Sequence, residues 1–292
     1  MSGALKEVRN RIKSVQSTQQ ITKAMKMVSA AKLRRAQDAI TQMRPYAQKL
    51  QEMLSNIISN TEGDIALDLA VERPIEKVLL VVITSDRGLC GGYNSNLIKL
   101  SKQLMKEKYE LQFAKGNVTV LPIGKKGYEH FVKNGFKIID KYWDVFSNLS
   151  FERVQEAAQY AMDAFTSKEI DAVEIIYSEF KNAATQRFVS EQFLPVLRIH
   201  DGGNQKADFI FEPDEQILVA ELMPKILNTQ MYKSVLDANA SEHGARMTAM
   251  DKASDNANEL LKTLKISYNR ARQAAITTEL TEIVSGAAAL QG

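Results

Sequence analysis

Long stretches at both ends of the chain lack helix breakers and repeat apolar or small side chains in alternating steps of three and four. Between Ala4 and about Asn60 there is one proline, Pro45, and no glycine. From 213 to 289 only two glycines and Pro224 interrupt a helical pattern. Each end is therefore predicted to be one long helix with a narrow apolar seam, kinked at Pro45 and kinked or divided at Pro224.

The seam positions can be written out from this alternation. In the N-terminal helix they are Leu5, Val8, Ile12, Val15, Thr18, Thr22, Met25, Ser29, Lys32, Ala36, Ala39, Met43, Tyr46, Leu50, Met53 and Ile57. In the C-terminal helix they are Met250, Ala253, Ala257, Leu260, Leu264, Ser267, Ala271, Ala274, Thr278 and Thr281. Because many members are small or polar, we expect a slim rod that another protein sheathes.

The middle of the chain has a different pattern, which begins with the continuous apolar run VLLVVIT at 78–84. Such a run is typical of a strand buried on both faces. Further strands are predicted at 118–123, 136–143, 172–180 and 193–199, and helices at 95–111, 128–134 and 151–168. Alternating strands and helices indicate βαβ units and a mainly parallel sheet.

These patterns predict an α/β protein, in which a Rossmann-like α/β domain is inserted between the helices of a long antiparallel coiled coil. The expected boundaries are 1–60 for the N-terminal coiled-coil helix, 75–205 for the α/β domain and 213–290 for the C-terminal coiled-coil helix. Antiparallel pairing is favoured because each helix has only one narrow seam to bury.

The turn Ser85–Gly92 follows the first strand, where α/β proteins often bind phosphate. It matches neither G-x-G-x-x-G nor G-x-x-x-x-G-K-[ST], and the lysine of a phosphate loop is missing. A tight turn whose glycines permit close backbone packing is the favoured interpretation. The single cysteine, Cys90, has no histidine near it in sequence and is expected to be a buried or semi-buried structural thiol. No catalytic residue, metal site or cofactor is predicted.

Charge is distributed unevenly along the chain. Residues 1–60 contain eleven Lys or Arg and three acidic residues, whereas the whole chain has a net charge of only +3. A segment this basic favours an acidic partner, with a solvated helix face as the alternative. The first 45 residues contain no aromatic side chain that could stack on bases. A protein partner is therefore favoured over nucleic acid.

Several long motifs together resemble the γ subunits of F-type ATP synthases, and the resemblance covers the whole chain. They are KSVQSTQQITKAMKMVSAAKLRRAQ at 13–37, SDRGLCGGYN at 85–94, SEHGARMTAMDKASDNA at 241–257 and YNRARQAAITTELTEIVSGAAA at 268–289. The resemblance implies a rotor shaft without a catalytic site, in a bacterial enzyme whose α and β subunits form a ring around it. Proton flow through the membrane sector would turn it and drive conformational changes at the β sites.

The resemblance also implies partners and site residues. The foot of the shaft would rest on the membrane rotor ring (c subunits) beside the ε subunit, at the cytoplasmic face of the plasma membrane, so that it meets the membrane only indirectly. The residues expected to meet β-subunit loops are Arg272, Gln273, Thr277, Glu279, Lys26, Met27 and Lys32. The residues expected in the foot are Phe211, Glu212 and Asp214.

Other interpretations remain open at this point. Thr277 and Glu279 could merely pack against or solvate the coil. A coiled-coil scaffold protein would need no motif in the α/β insert, and a nucleotide-binding α/β protein would need the phosphate loop that is missing.

Overall fold

A computed structural model describes residues 3–60, 68–183, 185–196 and 215–291. The elements in chain order are α1 (Gly3–Asn60), β1 (Val78–Ile83), α2 (Tyr93–Glu107), α3 (Glu110–Ala114), β2 (Val118–Ile123), α4 (Lys125–Lys133), β3 (Lys137–Ile138), a 3-10 turn (Val145–Asn148), α5 (Phe151–Thr166), β4 (Ala172–Phe180), β5 (Gln186–Leu194) and α6 (Glu215–Gln291). The mixed α/β fold with a long helix at each end is confirmed. The chain divides into two compact units, Ala30–Arg246 and the paired ends Met1–Ser29 with Met247–Gly292.

The unit Ala30–Arg246 is built on one five-stranded sheet with strand order β3-β2-β1-β4-β5. All pairings are parallel except that of β4 with β5, which confirms a mainly parallel sheet. Every residue of β1 is buried, because alternate side chains enter cores on opposite faces of the sheet. The core on one face includes α5 and residues 223–238 of α6, and the core on the other includes α2.

The predicted elements differ from the observed ones where the strands are not fully buried. The strand predicted at 193–199 is wrong, because the strand is Gln186–Leu194 and residues 197–199 lie outside the described part of the chain. Among the described strands β5 has one neighbour, β4, and most of its residues are half-buried, so it has no continuous apolar run. The strand predicted at 136–143 shrinks to Lys137–Ile138. α6 continues through Pro224 and is not divided there.

The phase of the α1 seam also needs correction in this unit. Lys32 is exposed and the adjacent Leu33 is buried, with Ala36 and Ile40 following at steps of three and four. Tyr46 is exposed as well, although the series predicted it to be in the seam. The steps of three and four are right, but every second member of the predicted series lies one residue further along the chain, as Leu33 does relative to Lys32. Because the seam position is occupied by Leu33 and not by Lys32, the middle of the seam is more apolar than expected.

Candidate partner-binding surfaces

The unit formed by the two ends of the chain is an antiparallel pair of helices. Among the described residues of this unit, three polar pairs of side chains connect α1 to α6, and they are Gln19–Asn258, Thr22–Ser254 and Lys26–Asp251. The hydroxyl oxygens of the central pair are 2.7 Å apart, and the Lys26 ammonium lies 2.5 Å from the Asp251 carboxylate. Residue numbers rise along one helix as they fall along the other. We refer to these three pairs as the polar ladder.

The seam of α6 in this unit keeps the predicted alternation in a corrected phase. Its buried members are Met250, Ser254, Ala257, Leu261 and Leu264, at steps of four and three. The series had assigned two of these positions to the residues immediately before, 253 and 260. Ser254 can occupy the seam because its hydroxyl also bonds to the Met250 carbonyl at 2.9 Å. The buried serine is therefore satisfied, which an apolar pattern could not reveal.

The four residues predicted to meet β loops on α6 all lie on its exposed C-terminal part. Arg272, Gln273, Thr277 and Glu279 are exposed, and the Thr277 hydroxyl donates to the Gln273 carbonyl at 3.0 Å. Large apolar side chains are exposed in the same stretch, namely Ile276, Leu280, Ile283 and Val284. Such a surface is typical of one that a protein partner covers.

The three residues predicted on α1 differ in their surroundings. Met27 is 71% exposed, and Lys32, which belongs to the other compact unit, is also exposed. Lys26 is half-buried because its ammonium pairs with Asp251. The ammonium of Lys26 is therefore already paired with Asp251 when a partner approaches it.

The predicted foot residues Phe211, Glu212 and Asp214 lie outside the described residues. Their role stays a prediction.

The turn Ser85–Gly92 is held by hydrogen bonds of its own. The Ser85 hydroxyl donates to the Arg87 carbonyl at 2.8 Å, and the Ser85 backbone N–H donates to the Asn94 side chain at 2.9 Å. Leu89 adopts the left-handed conformation with φ of 65°, which is uncommon for a residue with a side chain. The Cys90 side chain, within the turn itself, is buried, which confirms the expectation for this thiol.

Gly88 does not serve the close backbone packing predicted for the glycines of this turn. Gly88 has open space where a Cβ atom would lie, and Gly91 supplies a left-handed φ of 61°. The close approach occurs at Gly124, where a Cβ atom would lie 2.2 Å from the Thr84 carbonyl oxygen. The glycine that permits tight packing of the backbone thus follows β2 rather than β1.

Arg246 on α6 reaches the same turn, and no motif argument singled it out. Its guanidinium donates to the Arg87 carbonyl at 2.8 Å and to the Gly88 carbonyl at 3.3 Å. It also forms a buried ion pair with Glu242, four residues earlier on the helix. Burial, reinforced by Arg246 and Lys32, lowers the pKa of neighbouring His243 to about 4, so this imidazole is neutral near pH 7. The i, i+4 Glu–Arg spacing was the available signal in the sequence.

A polar cavity of about 400 Å³ lies among α1, α6 and the end of β4. Its lining residues are Arg44, Ala47, Gln48, Glu179, Phe180, Lys181, Lys233 and Asp237. Asp237 is only 1% exposed, and its Oδ2 has no hydrogen-bond partner within the described part of the chain. Its Oδ1 is a long 3.5 Å from Arg44, which also donates to the Phe180 carbonyl at 3.0 Å. Burial raises the pKa of Asp237 to about 6, although Arg44 and Lys233 oppose the shift.

Two other kinds of site have no candidate among the described residues. Among those residues, none of the helices is long and apolar enough to span a membrane. The same residues contain no cluster of three or more His, Cys, Asp or Glu suited to a metal ion.

Comparisons with known proteins agree with one another. The family model described as ATP synthase matches residues 4–290. The ATP synthase gamma chain of Cytophaga hutchinsonii is 53% identical over 98% of this chain and 99% of its own length. That of Chlorobaculum tepidum is 48% identical over 98% of this chain and 99% of its own length.

Solved structures show the same fold. A chain from the central stalk and c-ring structure of Tetrahymena thermophila mitochondrial ATP synthase matches 80% of this chain and 99% of its own length, with 26% identity and a TM-score of 0.57. A chain from a structure of Euglena gracilis mitochondrial ATP synthase matches 99% of this chain and 95% of its own length with a TM-score of 0.67, and at 20% identity it supports the fold alone. This chain therefore belongs to the ATP synthase gamma chain family, and its role is that of a central stalk subunit.

Proposed function

We propose that this central stalk subunit is a rotating shaft without a catalytic site of its own. Proton flow through the membrane sector turns it, and its uneven surface drives the β sites through the steps of ATP synthesis. The observation that carries the proposal is the C-terminal part of α6, which exposes apolar side chains beyond the end of the polar ladder. In a chain of this family, such a surface fits the interior of a ring of α and β subunits.

The mechanism needs differential contacts rather than chemistry within the chain. A ligand shifts a conformational equilibrium only by the difference in its affinity for the two states. An asymmetric shaft presents a different surface to each β subunit at a given angle, so each β site favours a different conformation. Rotation then moves every site through the same sequence of conformations.

Contacts with β-subunit loops follow from the motif resemblance, and exposure supports them at every assigned residue except the half-buried Lys26. We assign them to Arg272, Gln273, Thr277, Glu279, Lys26, Met27 and Lys32. Arg272 offers planar paired donors suited to a carboxylate of the partner. The foot, formed by the α/β domain together with Phe211, Glu212 and Asp214, would meet the ε subunit and the rotor ring on the cytoplasmic side. The proposed domain limits are 1–60, 75–205 and 213–290.

The assembly can be tested by purification from bacterial membranes through a tag on this chain. The α, β, ε and c subunits should be recovered together with it. Recovery of the folded chain alone, from membranes that retain ATP synthase activity, would contradict the proposal.

The β contacts can be tested with Arg272→Ala in the reassembled complex. ATP-driven turnover should fall, while the helical circular dichroism of the isolated chain stays unchanged because Arg272 is exposed. Arg187→Ala is the matched control, since it removes an exposed arginine from strand β5. Equal turnover of both variants, or unfolding of the Arg272 variant, would show that the contact is misplaced.

The absence of a catalytic site can be tested by calorimetric titration of the isolated chain with ATP and ADP. We expect no heat of binding, because the turn after β1 lacks the residues of a phosphate loop. A stoichiometric site that is lost on changing Gly91 or Gly92 would support the nucleotide-binding alternative instead.

A further inference from the structure

The turn Ser85–Gly92 is bonded to α6 through one buried side chain. We propose that Arg246 is a positioning residue that holds this turn against α6, so that the turn and the helix move as one body. The inference rests on the proposed function, because it concerns how a force on the α/β fold reaches the shaft. Both groups belong to the compact unit Ala30–Arg246.

The geometry around Arg246 is that of a clamp. One terminal nitrogen of its guanidinium bonds to the carbonyls of Arg87 and Gly88, and the other pairs with the Glu242 carboxylate. The side chains of Arg246 and Glu242 are both about nine-tenths buried. A buried cation needs such partners, since an unsatisfied one would be strongly destabilising. The position of the turn is therefore coupled to the direction of a single guanidinium.

The clamped turn has a distinct inner and outer side. Inside, Cys90 is buried, and Ser85 and Asn94 bond to each other. Outside, the Arg87 side chain is exposed and Leu89 is 65% exposed in its left-handed conformation. Backbone strain of this kind persists only where the surroundings hold it in place. The clamp thus fixes an outward-facing surface in a defined position relative to α6.

A second bond joins the same region to the helix. Tyr93, at the start of α2, donates its hydroxyl to the Ala238 carbonyl at 2.9 Å. Arg246 acts on the turn itself, whereas Tyr93 acts on the helix that follows it. A variant of Arg246 should therefore loosen the turn while α2 stays attached.

The chain carries its own reporter for this test, because Cys90 is its single cysteine and is a buried member of the turn. The experiment measures the reaction rate of Cys90 with a thiol reagent such as DTNB in the folded full-length chain. Arg246→Lys keeps a positive charge near Glu242 but lacks the planar fork that reaches the two carbonyls. We expect its thiol to react at least tenfold faster than that of the wild type. Arg187→Lys is the control, and it should react at the wild-type rate.

Glu242→Gln provides a second, milder variant, because it removes the charge that orients Arg246 and leaves the donors in place. Its rate should lie between those of the wild type and Arg246→Lys. If Arg246→Lys loses its helical circular dichroism, the Glu242 variant carries the test. A wild-type rate in every folded variant would overturn the positioning role.

The functional part is tested by ATP-driven turnover of the reassembled complex. Turnover should fall in the same order in which thiol reactivity rises. Fast thiol reaction with unchanged turnover would overturn the claim that the clamp transmits force. If the wild-type chain itself restored no turnover, the proposed function would fail, while the thiol result on the isolated chain would still decide the positioning role.

Discussion

The sheet of the α/β unit and the helix pair of the chain ends satisfy the same physical demands by different means. All six residues of β1 are buried, and all of them are aliphatic. The helix pair places Thr22, Ser254 and Ala257 among its buried positions and joins its helices through the polar ladder. The sheet is thus stabilised mainly by burial, which scales with apolar area, whereas the helix pair combines a narrow apolar seam with polar contacts between the helices.

This difference shows which part of the molecule needs partners. Side chains on both faces of the sheet are covered by helices of the same chain, including residues 223–238 of α6. In the helix pair, the end of α6 exposes Leu280 and Ile283 although both are large apolar residues. We therefore expect substitutions to act on the stability of the isolated chain in the first region and on assembly in the second.

The largest expected effect contrasts two leucines. Leu80→Ala should lower the free energy of unfolding by about 2–5 kcal/mol, because it opens a cavity between the sheet and its helices. Leu280→Ala, at a position that is 57% exposed, should change it by less than about 0.5 kcal/mol. Urea titration of the two isolated chains measures both values. Equal losses would erase the distinction between the regions.

A smaller effect concerns the buried carboxyl of Asp237 and has a defined pH dependence. Its pKa of about 6 in the folded chain lies above the ordinary value of 3.8, so the folded chain binds this proton more tightly. The protonated carboxyl therefore contributes stability that is fully present below about pH 4 and is lost as the pH rises through 6. This contribution to the free energy of unfolding has an upper bound of about 3 kcal/mol. Asp237→Asn should remove that dependence.

Thermal melts of the wild type and the Asn variant between pH 4 and pH 8 measure this difference. The stability gap between the two chains should shift in favour of the variant as pH rises. Glu179→Gln is a useful companion, because Glu179 also raises the pKa of Asp237. A gap that is constant across this pH range would mean that Asp237 ionises as an ordinary exposed carboxyl does.

The third expected effect is a coupling free energy within the polar ladder, which a double-mutant cycle of Thr22→Val and Ser254→Ala measures. The coupling between the two hydroxyls should be about 0.5–1.5 kcal/mol, the usual net contribution of a hydrogen bond. The carbonyls of Gln19 and Met250 compete for the same two hydroxyl protons, so the cycle is needed to isolate the pair. Strictly additive losses would show that the seam is stabilised by packing alone.

The smallest effect is expected at Lys26–Asp251. Both side chains are more than two-fifths exposed, so the coupling between Lys26→Ala and Asp251→Ala should be about 0–1 kcal/mol and should fall in high salt. Repeating the urea titrations with added sodium chloride measures it. A coupling of several kcal/mol that is insensitive to salt would show that this ion pair behaves as a buried one.

The sequence predicted most where burial was complete. The strands Val118–Ile123 and Ala172–Phe180 have the predicted limits, because both are largely buried in the parallel sheet. Strand β5 was misplaced because it lies at the edge of the sheet and mixes polar with apolar residues. A continuous apolar run indicates a central strand but carries little information about an edge.

The phase of the helix seams and the clamp at Arg246 could not be derived in the same way. Leu33 and Ser254 are buried, whereas the series chose Lys32 and Ala253, since steps of three and four allow either neighbour. Arg246 acts on carbonyl groups about 160 residues away, and backbone acceptors leave no trace in side-chain patterns. Such contacts become visible only when the chain is folded.

The polar ladder also implies an order of events during synthesis of the chain. Thr22 and Ser254 are 232 residues apart in sequence, whereas β1 is separated from its partners β2 and β4 by far shorter stretches. At ~5–20 residues per second, a ribosome needs roughly 10–50 seconds to extend the chain from one rung partner to the other. The strands can pair within that interval, since contacts that are close in sequence form first. The helix pair is therefore the last part of the molecule to form. Until the C-terminal helix has been synthesised, the apolar seam of the N-terminal helix stays exposed.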